Sequence, residues 1–127
     1  MKAYTMARIL IIDDNIKVLG TYTRILEHAG YEVIIAINGN ARISTFKEKV
    51  PDLVIIDILM PIKEGLETIR ELKQDFPDVK IIAISGGGDC MGPENYLTSA
   101  KHFGAMCTLA KPIEREALLG AVQECLS

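Results

Sequence analysis

Short apolar runs alternate along this chain with segments whose apolar residues recur at helical spacing. Residues 8–12 are β-branched and leucine-rich and stop abruptly at Asp13-Asp14, which predicts a strand buried on both faces. Ile16, Leu19, Tyr22, Ile25 and Leu26 then follow a helical period up to Ala29-Gly30, where glycine ends a helix. Residues 32–37 read as a second strand, Asn38-Gly39-Asn40 as a turn, and 41–49 as a helix that stops before Pro51. A third strand covers 53–56 and ends at Asp57. Past Met60-Pro61, Leu66, Ile69 and Leu72 mark a helix that ends near Asp75. The fourth strand, 80–84, ends at Ser85. After a glycine-rich stretch a helix is predicted over 94–103, then a fifth strand over 106–110 ending at Lys111-Pro112. A helix over 114–126 closes the chain, with Leu118, Leu119, Val122 and Leu126 apolar.

Five strand-then-helix repeats with no intervening linker predict an α/β domain. Parallel strands need crossovers, the crossovers are right-handed, and the helices they contain cover both faces of the sheet. Doubly wound sheets bind ligands beyond the carboxyl ends of their strands. Here those ends carry Asp13-Asp14, Asp57, Ser85 and Lys111.

Composition narrows the classes. The 127 residues are 49% hydrophobic and 24% charged, as expected for one globular domain with a full core. The expected organisation is one domain over 1–127, with its core over about 7–126 and a short extension at 1–6. A net charge of −3 provides no basic field for direct nucleic-acid binding. No run approaches the roughly 18 apolar residues of a membrane span, and residues 1–6 lack the features of a signal peptide. Cys90, Cys107 and Cys125 match no metal spacing and read as small core or loop residues of a cytoplasmic protein. His28 and His102 have no second ligand nearby in sequence.

Taken singly, the rim residues have ordinary readings: Asp13-Asp14 as a turn or helix cap, Asp57 as a solvated loop acid, Ser85 as a cap, Lys111 as a surface charge. Their recurrence at equivalent places in successive βα units points to a joint role. Crowded carboxylates need a cation, and hard oxygen ligands suit Mg²⁺, which retains waters and binds one or two carboxylates plus a phosphate. A lysine can neutralise a phosphoryl group, a serine can donate to it, and an aspartate can form an acyl phosphate.

The combination of Ile11-Ile12-Asp13-Asp14-Asn15, Leu53 through Pro61 with Asp57, Gly65, Ser85 and Lys111-Pro112 resembles a response-regulator receiver domain over essentially the whole chain. The resemblance implies a flavodoxin-like parallel sheet of five strands in the order 2-1-3-4-5. It implies Asp57 as phosphoacceptor, Asp14 as a direct Mg²⁺ ligand, Asp13 acting largely through water, and the backbone carbonyl of Leu59 as a further ligand. Ser85 matches the switch hydroxyl, Lys111 the phosphate-pairing lysine, Pro112 a residue after a cis peptide, and Gly65 a tight path after the phosphorylation loop. The implied partners are a histidine kinase or phosphotransfer protein, and a separate output protein or domain or a homodimer. Tyr96, Lys101 and His102 are candidates for an output face.

Two features depart from the family. Thr108 stands where most receivers have an aromatic switch residue, and residues 86–93 lengthen the interval before Lys111. That segment reads either as an extended surface loop or as a lid. Its three glycines lack the lysine of a P-loop. Rival functions fit less well. An aspartyl phosphatase would place a second acid two residues after the nucleophile, where Leu59 stands. A flavin-mononucleotide binder would not put two acids where a phosphate must sit. A receiver that works without phosphorylation would have little need of the acids and the lysine.

Overall fold

Five parallel strands form one sheet in the computed structural model, which describes residues 7–37, 50–58, 62–85, 100–111 and 113–127. They are β1 (Arg8–Ile12), β2 (Glu32–Ala36), β3 (Leu53–Asp57), β4 (Lys80–Ser85) and β5 (Cys107–Ala110), arranged β2-β1-β3-β4-β5. The order is the expected one, and strand limits fall within a residue or so of the sequence prediction. The turn at 38–40, the helix over 41–49, Leu59, the 86–93 segment, Tyr96 and Pro112 lie outside the described residues.

Strand alternation divides the core into two layers. Leu10 and Ile12, Val54 and Ile56, and Ile81 and Ala83 face one side, where they pack with Ile69 and Leu72 of α2 (Ile62–Asp75) and with Ala100. Ile9 and Ile11, Leu53 and Ile55, and Ile82 and Ile84 face the other. There they meet Leu19, Tyr22 and Leu26 of α1 (Ile16–His28) and Leu118, Val122 and Cys125 of α3 (Arg115–Leu126). β1, β3 and β4 are covered on both faces, which explains their uninterrupted apolar runs. β2 is an edge strand, and Ile35 is 50% exposed.

Local signals set the helix ends. The Asn15 side chain accepts hydrogen bonds from the Lys17 and Val18 amides at 3.0 and 3.3 Å, capping α1. Gly30, at φ 101°, turns the chain out of α1, and the Tyr31 amide donates back to the Leu26 carbonyl at 3.1 Å. One expectation fails here. Ile16, assigned to the apolar stripe, is 75% exposed. As the first residue of α1 it stands past the end of β1, where no sheet lies beneath it.

Gly65 is buried in α2, and its φ is not positive. What it supplies is room: a Cβ there would lie 2.7 Å from the Ile58 Cα, a backbone atom directly after Asp57. Gly65→Ala is therefore expected to push the segment after β3 outward and to cost about 2 kcal/mol, a loss typical of overpacking. A urea titration would reveal it as a lower midpoint, and an unchanged midpoint would refute the steric account.

Candidate functional site

The sheet register brings distant residues to one rim. Continuing the alternation, Asp13 follows Ile9 and Ile11, Asp57 follows Leu53 and Ile55, and Lys111 follows Cys107 and Leu109, all on the α1/α3 side. Backbone bonds extend the ladders into the site. The Asp13 amide donates to the Ala36 carbonyl at 3.1 Å, Ile58 to Ile84 at 2.9 Å, and Lys111 to Ser85 at 2.8 Å.

Lys111 Nζ donates to Asp57 Oδ2 at 2.6 Å and lies 3.8 Å from Asp13 Oδ2. Asp13 is 1% exposed. Its Oδ1 accepts from the Asn15 amide at 2.8 Å, whereas its Oδ2 is buried and takes no hydrogen bond among the described residues. Burial pushes the Asp13 carboxyl up to about 6, and the neighbouring Asp57 charge adds to the rise. The Asn15 amide and Lys111 oppose it. Burial alone would lower the Lys111 ammonium, but its hydrogen bond to Asp57 and the charges of both acids leave it raised overall.

Ser85 is fully buried at the end of β4. By the same alternation it belongs to the face carrying Ile81 and Ala83, opposite Asp57. Thr108 pairs with Ala83 and shares that face, and Ser85 pairs with Ala110 two residues on. Asp14, by contrast, is exposed.

The residues fit a hard divalent cation. Asp13 and Asp57 are two carboxylates in mutual contact, and one lysine charge does not offset both. Asp13 Oδ2 takes no hydrogen bond among the described residues and has only the Lys111 ammonium, 3.8 Å away, so it keeps a lone pair for a cation. Among the described residues no three acidic, histidine or cysteine side chains are grouped to hold a metal. Two carboxylates completed by water and phosphate is the usual Mg²⁺ arrangement.

Tyr22 is a member of the site's surroundings that the sequence pattern alone did not single out. Its helical spacing places it on the apolar stripe of α1, and it is buried. Its hydroxyl is raised by burial and also feels the charges of Lys111, Asp13 and Asp57. The available signal was that α1 packs on the face bearing both acids.

A 2-1-3-4-5 sheet with its charged residues collected at one rim defines the flavodoxin-like class of doubly wound domain. Comparison with known proteins then narrows the class: the response regulator receiver domain profile matches residues 9–123, and the chain belongs to that family. It is 34% identical to the chemotaxis protein CheY of Bacillus subtilis over 94% of this chain and 98% of that protein. It is 32% identical to PilH of Pseudomonas aeruginosa over 96% of this chain and 99% of that protein. A receiver domain protein (CheY-like) from Methanospirillum hungatei superposes with a TM-score of 0.84 at 29% identity, over 96% of this chain and 94% of that one.

Proposed function

We propose that this receiver domain is a Mg²⁺-dependent switch in which Asp57 accepts a phosphoryl group. The donor would be a histidine kinase or phosphotransfer protein working with it in the cytoplasm. The observation that carries this reading is the Lys111 ammonium bonded to Asp57 at 2.6 Å and lying 3.8 Å from a buried Asp13 oxygen that takes no hydrogen bond among the described residues. In the proposed step an Asp57 oxygen attacks phosphorus as the phosphorus–nitrogen bond to the donor imidazole breaks, and the imidazole leaves with the electron pair. Lys111 transfers its hydrogen bond from the carboxylate to a phosphoryl oxygen, and Ser85, buried at the end of the adjacent β4 on the opposite face, would turn over the rim to donate its hydroxyl to another. Asp13, Asp14 and Asp57, with the Leu59 carbonyl, would hold Mg²⁺, which supplies charge neutralisation when bound.

Output then follows from the movement of Ser85 and Lys111. The contact differences they create bias the face built from β5, α3 and the helical residues 100–103. Lys101, His102, Phe103 and Met106 are exposed there and available to an output protein, an output domain or a second copy. Thr108 in place of an aromatic gives this switch a smaller side chain to reposition.

Incubation with acetyl phosphate and Mg²⁺ tests the reading by intact mass. The expected result is a gain of about 80 Da, one phosphoryl group as an acyl phosphate, reduced at least about tenfold by EDTA. No gain with acetyl phosphate, phosphoramidate or a protein donor would overturn it. Ile16, exposed one residue beyond the α1 cap, supplies an apolar contact for a protein donor beside the acids. Ile16→Asp is expected to slow transfer from a phosphotransfer protein about tenfold, equivalent to about 1.4 kcal/mol, and to leave loading by acetyl phosphate unchanged. Equal slowing with both donors would remove Ile16 from the docking surface.

A further inference from the structure

Two cysteines meet at the edge of the sheet remote from the acids. Cys107 is the first residue of β5, and Cys125 lies one residue before the end of α3. Both belong to the core layer between the sheet and the α1/α3 side. The topology brings them level. β5 climbs to the rim over four residues, and α3, packed on β3, β4 and β5, returns over 12 residues. At about 3.3 Å per strand residue and about 1.5 Å per helical residue, the end of α3 comes back to the start of β5. Both side chains pack into the same core cluster, where α3 lies against β5. Cys125 is 3% exposed, whereas Cys107 is only partly covered.

We propose that Cys107 and Cys125 are a hydroperoxide-reactive dithiol that closes to an intramolecular disulfide, tying the last turn of α3 to the start of β5. The environment assigns the roles. Burial, and then the neighbouring Cys107, push the Cys125 thiol up to about 11, so Cys125 keeps its proton. The partly open Cys107 is the sulfur an oxidant can reach. With hydrogen peroxide as oxidant, the Cys107 thiol gives up its proton and the resulting thiolate attacks one oxygen; the S–O bond forms as the O–O bond breaks, and the departing hydroxide takes up that proton and leaves as water. The Cys125 sulfur then attacks the sulfenic sulfur. The S–S bond forms as the S–O bond breaks, and the Cys125 proton leaves with the hydroxide as a second water. Two electrons pass from the two thiols to the peroxide, and a cellular dithiol reverses the change. The closed ring, residues 107–125, contains Lys111, so oxidation restrains the connection that carries the lysine.

Peptide mapping of the full chain after hydrogen peroxide treatment tests this, with Cys90→Ala as a background that removes the third thiol. The expected result is a loss of about 2 Da reversed by dithiothreitol, with the peptides containing Cys107 and Cys125 joined. In Cys125→Ser, and in Cys125→Ala should serine unfold the core, dimedone should trap a sulfenic acid at Cys107. Cys107→Ser should leave Cys125 unmodified under the same treatment. Oxygen addition at Cys107 without a cross-link in the Cys90→Ala protein, a disulfide formed only between chains, or equally fast reaction at Cys125 in Cys107→Ser would overturn the proposal.

Discussion

Asp57→Asn is expected to abolish the phosphoryl gain from acetyl phosphate completely, with or without Mg²⁺. The amide keeps the shape of the carboxylate but lacks the anionic oxygen needed to form an acyl phosphate. Asp57 lies at the end of β3, paired with Ile84 across the ladder, and its backbone stays fixed by that pairing after substitution. The substitution also removes one of the two charges that hold Lys111, leaving Asp13 at 3.8 Å as its remaining carboxylate. Intact mass gives the primary readout and a urea midpoint the control for folding. Phosphorylation that persists in the folded variant would transfer the acceptor role to another acid.

The second large effect concerns acidity. Asp13 is raised from 3.8 to about 6 in the folded protein, first by burial and then by its neighbour Asp57. The folded state therefore holds a proton that the unfolded chain releases at lower pH. Its contribution to stability is complete below about pH 4 and is lost as pH rises through about 6. From 3.8 to about 6 the shift corresponds to roughly 3 kcal/mol in the metal-free protein. Asp13→Asn retains an oxygen to accept from the Asn15 amide and does not titrate. The expected result is that metal-free wild type loses roughly 3 kcal/mol relative to this variant between about pH 4 and about pH 7. Saturating Mg²⁺ recovers much of that loss at the upper end, because a metal binds the ionised carboxylate. Parallel stability curves for the two proteins would show that Asp13 is not strained by its surroundings.

These effects depend on features that the sequence disclosed unevenly. β1, β3 and β4 were legible because strands covered on both faces have no polar positions to interrupt them, and their charged endings marked the rim for the same reason. The recurrence of Asp13-Asp14, Asp57, Ser85 and Lys111 at strand ends was visible from position alone, and of these Asp13, Asp57 and Lys111 come together on one face. Which acid turns inward was harder to see. It depends on the parity with which β1 continues past Ile12 and on the register that matches it to β3 and β4, so Asp13 is buried and Asp14 is exposed. Ile16 misled because helical periodicity reports a stripe but not where the sheet beneath it ends. Tyr22 and the Cys107–Cys125 contact were hidden because each depends on how a helix lies over the sheet, a relation between elements rather than within one.

The two core layers have a consequence for traffic around the domain. Ile16 starts a helix seated on one side of the sheet, and Ala100, which leads to Phe103, is buried on the other. In the proposed switch, a donor settling over Ile16 beyond the end of β1 and a reader resting against Phe103 would approach different places on the domain. On that reading, delivery through Ile16 and readout through Phe103 would draw on different residues.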